Sequence, residues 1–217
     1  NRYVLPVYNG TTALNIAGFS LNLTAGDEVI IGSYGYMASA SPILTTGATP
    51  VFCDVDRETL TVTSETISRK ITERTKAIIV AHSWGNPADM VQIRNLANQT
   101  GISILSDSSH AHGAFIEKKQ LGCWADASCY SMGLGKLVTG GELGVLTTDD
   151  LDIYERAIAI SGVKQTDGLS GLIVKDAVPF KSRPHGLAIA NESIDRLKEK
   201  NVLYSRFASE IYCGIRG

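Results

Sequence analysis

The chain has 217 residues, of which 44% are hydrophobic and 19% are charged, and its formal net charge is −2. These values are ordinary for a globular protein with a sizeable core, and the length suits one large domain or one domain plus a fragment. The small net charge gives no support for a nucleic acid or an anionic membrane as partner, and no apolar run approaches the roughly 18 residues of a membrane span.

Strand-like and helical patterns alternate along residues 1–161. Short apolar runs predict strands at Tyr3–Val7, Val29–Ile31, Thr49–Cys53, Ala77–Ala81, Ile102–Leu105, Ala127–Ser131 and Gly144–Thr147. Apolar residues at helical spacing predict helices at Thr11–Leu23, Tyr36–Thr46, Ser64–Ile71, Asp89–Thr100 and Asp149–Ser161. This alternation is typical of an α/β domain with a mostly parallel sheet. The run AIIVA at residues 77–81 fits a strand that is covered on both faces.

Both ends of the chain differ from this pattern. The first residues, NRYVLPVYNG, lack a Met and a signal-like stretch, so we expect an N-terminally incomplete or processed chain. Residues 164–184 have loop character, with Gly and Pro as punctuation. A long amphipathic helix is predicted from about Leu187 to Tyr212. We therefore divide the chain into an α/β large domain at residues 1–186 and, at 187–217, a helix leading to a C-terminal small domain that is absent.

The four cysteines form no CxxC pair, and three of them lie in or beside predicted apolar strands or a helix. This pattern favours buried, reduced thiols in a cytoplasmic protein over disulfides or a zinc site. The cysteines concerned are Cys53, Cys123, Cys129 and Cys213.

Two stretches at strand ends carry groups that suit a ligand. In NGTT, residues 9–12, Gly10 and Thr11 open a helix and offer free N–H groups to a phosphate or another anion, although helix capping by Thr11 is the simpler alternative. In SDSSHAHGA, residues 106–114, Asp107 is a carboxylate at a buried strand end, which needs a cation or a hydrogen-bond donor. Asp107 is thus a candidate to hold a protonated ring nitrogen. Metal binding by Asp107, His110 and His112 is the less favoured alternative, and His112 is expected to be a structural histidine with its hydrogen bonds satisfied.

A third stretch, SMGLGKLVTGGELG at residues 131–144, places Lys136 among glycines after a predicted strand. The glycines let the backbone turn sharply around the lysine, as a flexible surface loop would also allow. A lysine that forms a covalent bond must be held close to backbone and kept from an ordinary ion pair. Pyridoxal phosphate uses a phosphate site, an acid and an amine together, and its aldehyde condenses with lysine.

The order and spacing of these segments resemble the sugar aminotransferases of the DegT/DnrJ/EryC1/StrS family, which have the type I aminotransferase fold. The resemblance runs from Tyr3 to about Tyr212. It implies a PLP-binding large domain with helices on both faces of a mostly parallel sheet, and a homodimer with shared active sites. The segments that carry it are NGTTAL, AGDEVI, TTGATPVFCDVD, TERTKAIIVAHSWGNPADM, SDSSHAHGA and SMGLGKLVTGGELGVLTTDD.

The resemblance also implies roles for individual residues. Lys136 matches the catalytic Schiff-base lysine, and Asp107 matches the acid that pairs with the pyridine nitrogen. The other positions expected to contact the cofactor are Gly10, Thr11 and the adjacent Thr12 at the phosphate, Ser131 at the phosphate, Tyr36 stacked on the ring, His110 at the ring hydroxyl, and Lys181, which reaches the phosphate in the neighbouring subunit.

Three positions depart from the family pattern. Leu143 replaces a glycine and is expected to crowd the turn after Lys136, Ser106 replaces an acid before Asp107, and Asn9 replaces a serine. The activity implied is transfer of an amino group from glutamate or glutamine to a nucleotide-linked keto-sugar or a keto-cyclitol. The alternatives are a non-catalytic or regulatory protein or fragment of this fold and, less favoured, a dehydratase, whose branch of the fold has histidine in place of the lysine.

Overall fold

The computed structural model of the protein describes residues 1–162 and Ala190. Three short 3₁₀ turns accompany the helices, at Met37–Ala40, Ser83–Gly85 and Leu121–Trp124. The helices are α1 (Gly10–Ser20), α2 (Ser41–Thr46), α3 (Ser64–Ser68), α4 (Met90–Thr100) and α5 (Leu151–Ser161). The strands are β1 (Tyr3–Val7), β2 (Glu28–Gly32), β3 (Thr49–Cys53), β4 (Thr75–Ala81), β5 (Ser103–Asp107), β6 (Phe115–Ile116), β7 (Lys119–Gln120), β8 (Ala127–Ser131) and β9 (Gly144–Thr148).

Among the described residues, seven strands form the central sheet in the order β1-β9-β8-β5-β4-β2-β3. Neighbouring pairs among β3, β2, β4, β5 and β8 are parallel, whereas β9 is antiparallel to both β8 and β1. Strand β1 therefore points the same way as β8, and β9 is the one reversed strand of this sheet. The prediction of a mostly parallel sheet is confirmed. The carboxyl ends of all the parallel strands meet at one edge, which is where open α/β sheets bind ligands.

The two faces of the sheet carry separate apolar cores because strand side chains alternate in direction. Ile31, Ile79 and Leu105 pack with residues of α1 and α5 on one face. Their immediate neighbours Ile30 and Ile78 pack with residues of α3 and α4 on the other face. Burial on both faces explains why these strands read as continuous apolar runs rather than as alternating ones.

The predicted strands match the observed ones closely, but one predicted helix is wrong. Tyr36–Thr46 is not a single helix: Tyr36 is extended, Met37–Ala40 forms a 3₁₀ turn, and α2 starts at Ser41. Pro42 explains the break, since proline has no N–H to donate back into the preceding turn and is tolerated only at a helix start. The predicted helix at 187–212 lies outside the described residues, apart from Ala190.

Several smaller expectations also meet the structure here. Cys53 and Cys129 are buried free thiols, as predicted, and burial raises the pKa of both; Cys123 is also a free thiol but is only half-buried. Cys213 lies outside the described residues. The hairpin β6–β7 was not expected, because its turn uses Glu117 and Lys118 at positive φ (49° and 66°) instead of Asn-Gly. Within residues 1–162, no helix combines the length and apolar character needed to cross a bilayer.

The start of α1 is pressed against the central sheet at Gly144. A Cβ on Gly144 would lie 2.1 Å from the Asn9 carbonyl oxygen, which is backbone and cannot move aside cheaply. We expect Gly144→Ala to lower the free energy of unfolding by about 1–3 kcal/mol, because the added carbon forces the backbone apart. Urea unfolding measures this change. Gly35→Ala is the matched control, since nothing lies within 4 Å of its Cβ position, and equal midpoints for the two variants would contradict the assignment.

Candidate active site

A cleft of about 280 Å³ opens at the carboxyl edge of the sheet. It brings together seven of the residues predicted from sequence, namely Gly10, Thr11, Tyr36, Asp107, His110, Ser131 and Lys136. Thr12 is buried and does not line the cleft. Lys181 lies outside the described residues. The cleft is also lined by polar residues that sequence reasoning did not select: Asn9, Ser39, His82, Ser83, Ser109 and Glu142.

The N-terminus of α1 forms one end of the cleft. Asn9 is the N-cap, and its Oδ1 accepts a hydrogen bond from the Thr12 N–H at 2.9 Å, so capping by Thr11 is wrong. The N–H groups of Gly10 and Thr11 have no acceptor among the described residues, as expected for the first turn of a helix. A Cβ on Gly10 would lie 2.6 Å from the Ser131 Cβ, which shows how closely the helix start approaches β8. Free N–H groups at a helix start suit an anion, and we call this end of the cleft, at Gly10, Thr11 and Ser131, the candidate anion site.

Asp107 lies at the floor of the cleft with 8% of its surface exposed. Its Oδ2 accepts a hydrogen bond from the Ser39 hydroxyl at 2.5 Å, and its Oδ1 accepts one from the Ser109 N–H at 3.1 Å. Within residues 1–162 the carboxylate has no ion-pair partner. A buried carboxylate held by two neutral donors still lacks a positive charge, so the cleft favours a cationic ligand group at this point.

Lys136 lies in the loop that joins β8 to β9. Backbone hydrogen bonds close this loop, from Met132 N–H to Leu143 O (2.7 Å), from Gly140 N–H to Met132 O (2.8 Å) and from Lys136 N–H to Gly133 O (3.0 Å). Leu143 is fully buried at the closing end of this loop, and the crowding of the turn expected from it stays a prediction. The Lys136 amine makes no salt bridge with a described residue. Burial lowers the pKa of Lys136, and the negative charge of Asp107 opposes part of that shift.

His82 is a functional candidate that the sequence analysis missed, although it directly follows strand β4 as Asp107 ends β5. The Ala88 N–H donates to its Nδ1 at 3.1 Å, and its Nε2 lies 3.0 Å from the Ser106 hydroxyl. A donor on Nδ1 fixes the neutral tautomer with hydrogen on Nε2. Burial lowers the pKa of His82 to about 4, so this ring contributes no positive charge to the cleft at neutral pH.

The two histidines after Asp107 have different surroundings. His110 is exposed as a whole residue, and its Nδ1 accepts a long hydrogen bond from the Trp84 N–H at 3.4 Å. Partial desolvation of its ring, and then the Lys136 charge, lower its pKa. His112 is buried, and among the described residues neither ring nitrogen makes a hydrogen bond of good geometry, so the expected satisfied histidine is not seen there. Burial, followed by the Lys136 charge, lowers the pKa of His112 to about 4, with the Ser131 backbone opposing the shift.

The alternative metal set of Asp107, His110 and His112 does not form a cluster. Among the residues that the structure describes, no group of three or more His, Cys, Asp or Glu side chains is arranged to hold a metal ion. His110 contacts the Ser83–Gly85 turn, where a Cβ on Gly85 would lie 2.9 Å from the His110 carbonyl oxygen. His112 instead packs against Tyr130, with ring centroids 5.7 Å apart.

The sequence that forms this cleft is similar to that of a known protein family. The sequence profile of the DegT/DnrJ/EryC1/StrS aminotransferase family matches residues 1–183. The chain belongs to this family. Both the candidate anion site at α1 and the loop that carries Lys136 lie within the matched region.

Members of the DegT/DnrJ/EryC1/StrS family resemble the chain over part of their length. The chain is 39% identical over 161 residues to the GDP-perosamine synthase of Escherichia coli O157:H7, covering 74% of this chain and 44% of that protein. It is 39% identical over 154 residues to the L-glutamine:2-deoxy-scyllo-inosose aminotransferase of Streptomyces fradiae, covering 71% of this chain and 36% of that protein. The chain thus spans less than half the length of either relative.

Solved protein structures have the same fold as this chain. NtdA from Bacillus subtilis, crystallised with the cofactor PMP bound, superposes with a TM-score of 0.79 at 27% identity, covering 91% of this chain and 44% of that one. A superposition of this extent places the described sheet and its helices in the same architecture.

Because its pKa is lowered, the Lys136 amine is expected to react with acylating reagents at a lower pH than an ordinary lysine does. Because burial disfavours the charged ammonium, a larger fraction of Lys136 is neutral at a given pH than for a lysine with the ordinary pKa of about 10.4. Competitive acetylation with trace anhydride, followed by peptide mapping across pH 7–11, should give a lower midpoint for Lys136 than for the exposed Lys118. Coincident midpoints for the two lysines would contradict this account.

Proposed function

We propose that the protein is a PLP-dependent aminotransferase that transfers an amino group from glutamate or glutamine to a nucleotide-linked keto-sugar or to a keto-cyclitol. The observation that carries this proposal is the buried carboxylate of Asp107, which shares one cleft with the amine of Lys136; neither group has an ion-pair partner among the described residues. A protonated pyridine ring supplies the missing charge.

The residues of the cleft fit pyridoxal phosphate at three separate points. The free N–H groups of Gly10 and Thr11, beside the Ser131 hydroxyl, suit the phosphate. The Asp107 carboxylate suits the ring nitrogen, and the Lys136 amine suits the aldehyde. The bound cofactor supplies an electron sink for the reaction, which no protein side chain provides.

Lys136 is the residue that we assign to proton transfer. Its lowered pKa keeps a fraction of the amine neutral, so it can take a proton from the Cα atom of the amino donor and later return one. The neutral His82 leaves Asp107 free to pair with the ring nitrogen, because a charged imidazole there would compete for the carboxylate. Tyr36 lines the same cleft with 75% of its surface exposed, and its ring is available to stack.

The substrate classes are supported by the names of the relatives. GDP-perosamine synthase acts in the nucleotide-sugar class, and the inosose aminotransferase names both L-glutamine and a cyclitol. Lys136 itself argues against the dehydratase alternative, whose branch has histidine at this position. The free thiols of Cys53, Cys123 and Cys129 support a reducing compartment, and we propose the cytoplasm.

The central test is whether Lys136 carries the cofactor. Purified protein incubated with pyridoxal phosphate should turn yellow, and borohydride should fix the cofactor on the peptide that contains Lys136. Addition of glutamate or glutamine before reduction should abolish most of this fixation if the amino-donor half of the reaction proceeds. Lys136→Ala should lose fixation, whereas Lys118→Ala, on the exposed β6–β7 turn, should retain it.

Two outcomes would contradict the proposal in different ways. A label on another lysine would overturn the assignment of Lys136. Fixation at Lys136 that no amino donor affects would favour the non-catalytic alternative.

We further propose a homodimer in which Lys181 reaches the phosphate bound by the neighbouring subunit. Support comes from the family and from the absence of a described cation beside Gly10 and Thr11. If sites are composite, Lys136→Ala and Lys181→Ala subunits should complement one another, because a mixed dimer contains one intact site. Random mixing should restore about a quarter of wild-type cofactor fixation at limiting pyridoxal phosphate. No gain on mixing, or a monomer in sedimentation with full cofactor occupancy, would refute the shared site.

A further inference from the structure

The hydrogen bond between Ser39 and Asp107 joins two segments that are distant in sequence. Ser39 has 2% of its surface exposed, and its hydroxyl donates to Asp107 Oδ2 across 68 positions of the chain at 2.5 Å. Both residues line the cleft. We propose that Ser39 is a positioning residue, whose hydroxyl fixes the Asp107 carboxylate in the orientation that pairs with the ring nitrogen of pyridoxal phosphate. This inference rests on the proposed function.

Two donors are needed to fix the carboxylate because rotation about the Cβ–Cγ bond of Asp is soft. The Ser109 N–H holds Oδ1 at 3.1 Å, and it belongs to the same segment as Asp107. With that bond alone, the second oxygen can still swing. The Ser39 hydroxyl comes from a different segment and holds Oδ2, which fixes the plane of the group. A carboxylate has about four acceptor positions, so two donors leave room for the ring N–H.

The fold does not depend on this bond to keep Ser39 in place. The Ser39 N–H donates to the Tyr36 carbonyl at 3.0 Å inside the 3₁₀ turn. The Ser41 hydroxyl, two residues on, donates to Asn15 Oδ1 of α1 at 2.6 Å, and Thr45 makes a longer bond to the same oxygen at 3.3 Å. Because these contacts anchor the segment to α1, the Ser39 hydroxyl can be removed without releasing the turn.

The test follows the ring nitrogen directly, without substrate. Pyridoxal phosphate labelled with ¹⁵N at the ring is bound to wild type, Ser39→Ala, Ser39→Thr, Ser33→Ala and Asp107→Asn, and the ¹⁵N shift is followed with pH. Asp107 stabilises the protonated ring, so a loosened carboxylate should lower the pKa of the ring nitrogen. We expect a decrease of about one unit and an affinity for pyridoxal phosphate about tenfold weaker in Ser39→Ala.

The other variants provide the limit and the controls for this measurement. Asp107→Asn should give the unprotonated limit, and Ser33→Ala, the loss of an exposed serine hydroxyl that does not line the cleft, should titrate as wild type does. Ser39→Thr keeps the donor and should also resemble wild type. Thermal unfolding of the unloaded variants checks that each one folds. If Ser39→Ala does not fold, a Ser39→Thr titration like that of Asp107→Asn overturns the proposal, and a wild-type titration supports it.

Failure of this inference is distinct from failure of the proposed function. A wild-type protein that does not bind pyridoxal phosphate overturns the function and, with it, the role of Ser39. A wild-type protein with a protonated ring, whose titration is unchanged in Ser39→Ala, overturns the role of Ser39 and leaves the function standing.

Discussion

The carboxylate of Asp107, buried at the end of strand β5, constrains the groups around it, because its negative charge needs hydrogen-bond donors or a cation. Asp107 loses most of its hydration on folding, and the donors that replace water, Ser39 and Ser109, are both neutral. Its charge is therefore stabilised in part by the protein and in part by whatever enters the cleft. The site therefore favours ligands that carry a positive charge, because any other ligand would leave the Asp107 carboxylate without a counter-charge. A cationic protein side chain beside Asp107 would supply that charge itself and would remove this preference.

The same carboxylate connects the two ends of the cleft. Ser109, which donates to Asp107 through its N–H, accepts from the Ser131 N–H through its hydroxyl at 3.2 Å. Ser131 in turn lies against Gly10 at the start of α1. A continuous series of contacts thus runs from the 3₁₀ turn through β5 and β8 to the candidate anion site. The distance between the carboxylate and the candidate anion site is set by strand spacing and backbone hydrogen bonds, which are the least deformable parts of the fold.

The sequence was sufficient for the sheet and for naming most of the residues that share the cleft. Apolar runs with both faces buried marked the strands, polar groups at strand ends marked Asp107 and Lys136, and the family resemblance added Ser131. Ser39 was not recognisable in this way, since its role depends on a contact 68 positions away and serine alone carries no spacing signal. His82 did follow a strand end, but its neutrality depends on an N–H from Ala88 that only the folded chain supplies. The error at Tyr36–Thr46 came from apolar periodicity that Pro42 interrupts.

The reversed strand β9 has a consequence for the lysine loop. Ser131 at the end of β8 is in register with Gly144 at the start of β9, so one antiparallel pair clamps both ends of residues 132–143. The free energy of closing such a loop changes slowly with its length, by about 0.6 kcal/mol for each doubling. The free energy of folding therefore depends only weakly on the length of this loop. The position of the Lys136 amine does depend on loop length, because each added residue changes its distance along the chain from the paired residues Ser131 and Gly144. A change in the length of this loop should therefore move the Lys136 amine more than it changes the stability of the fold.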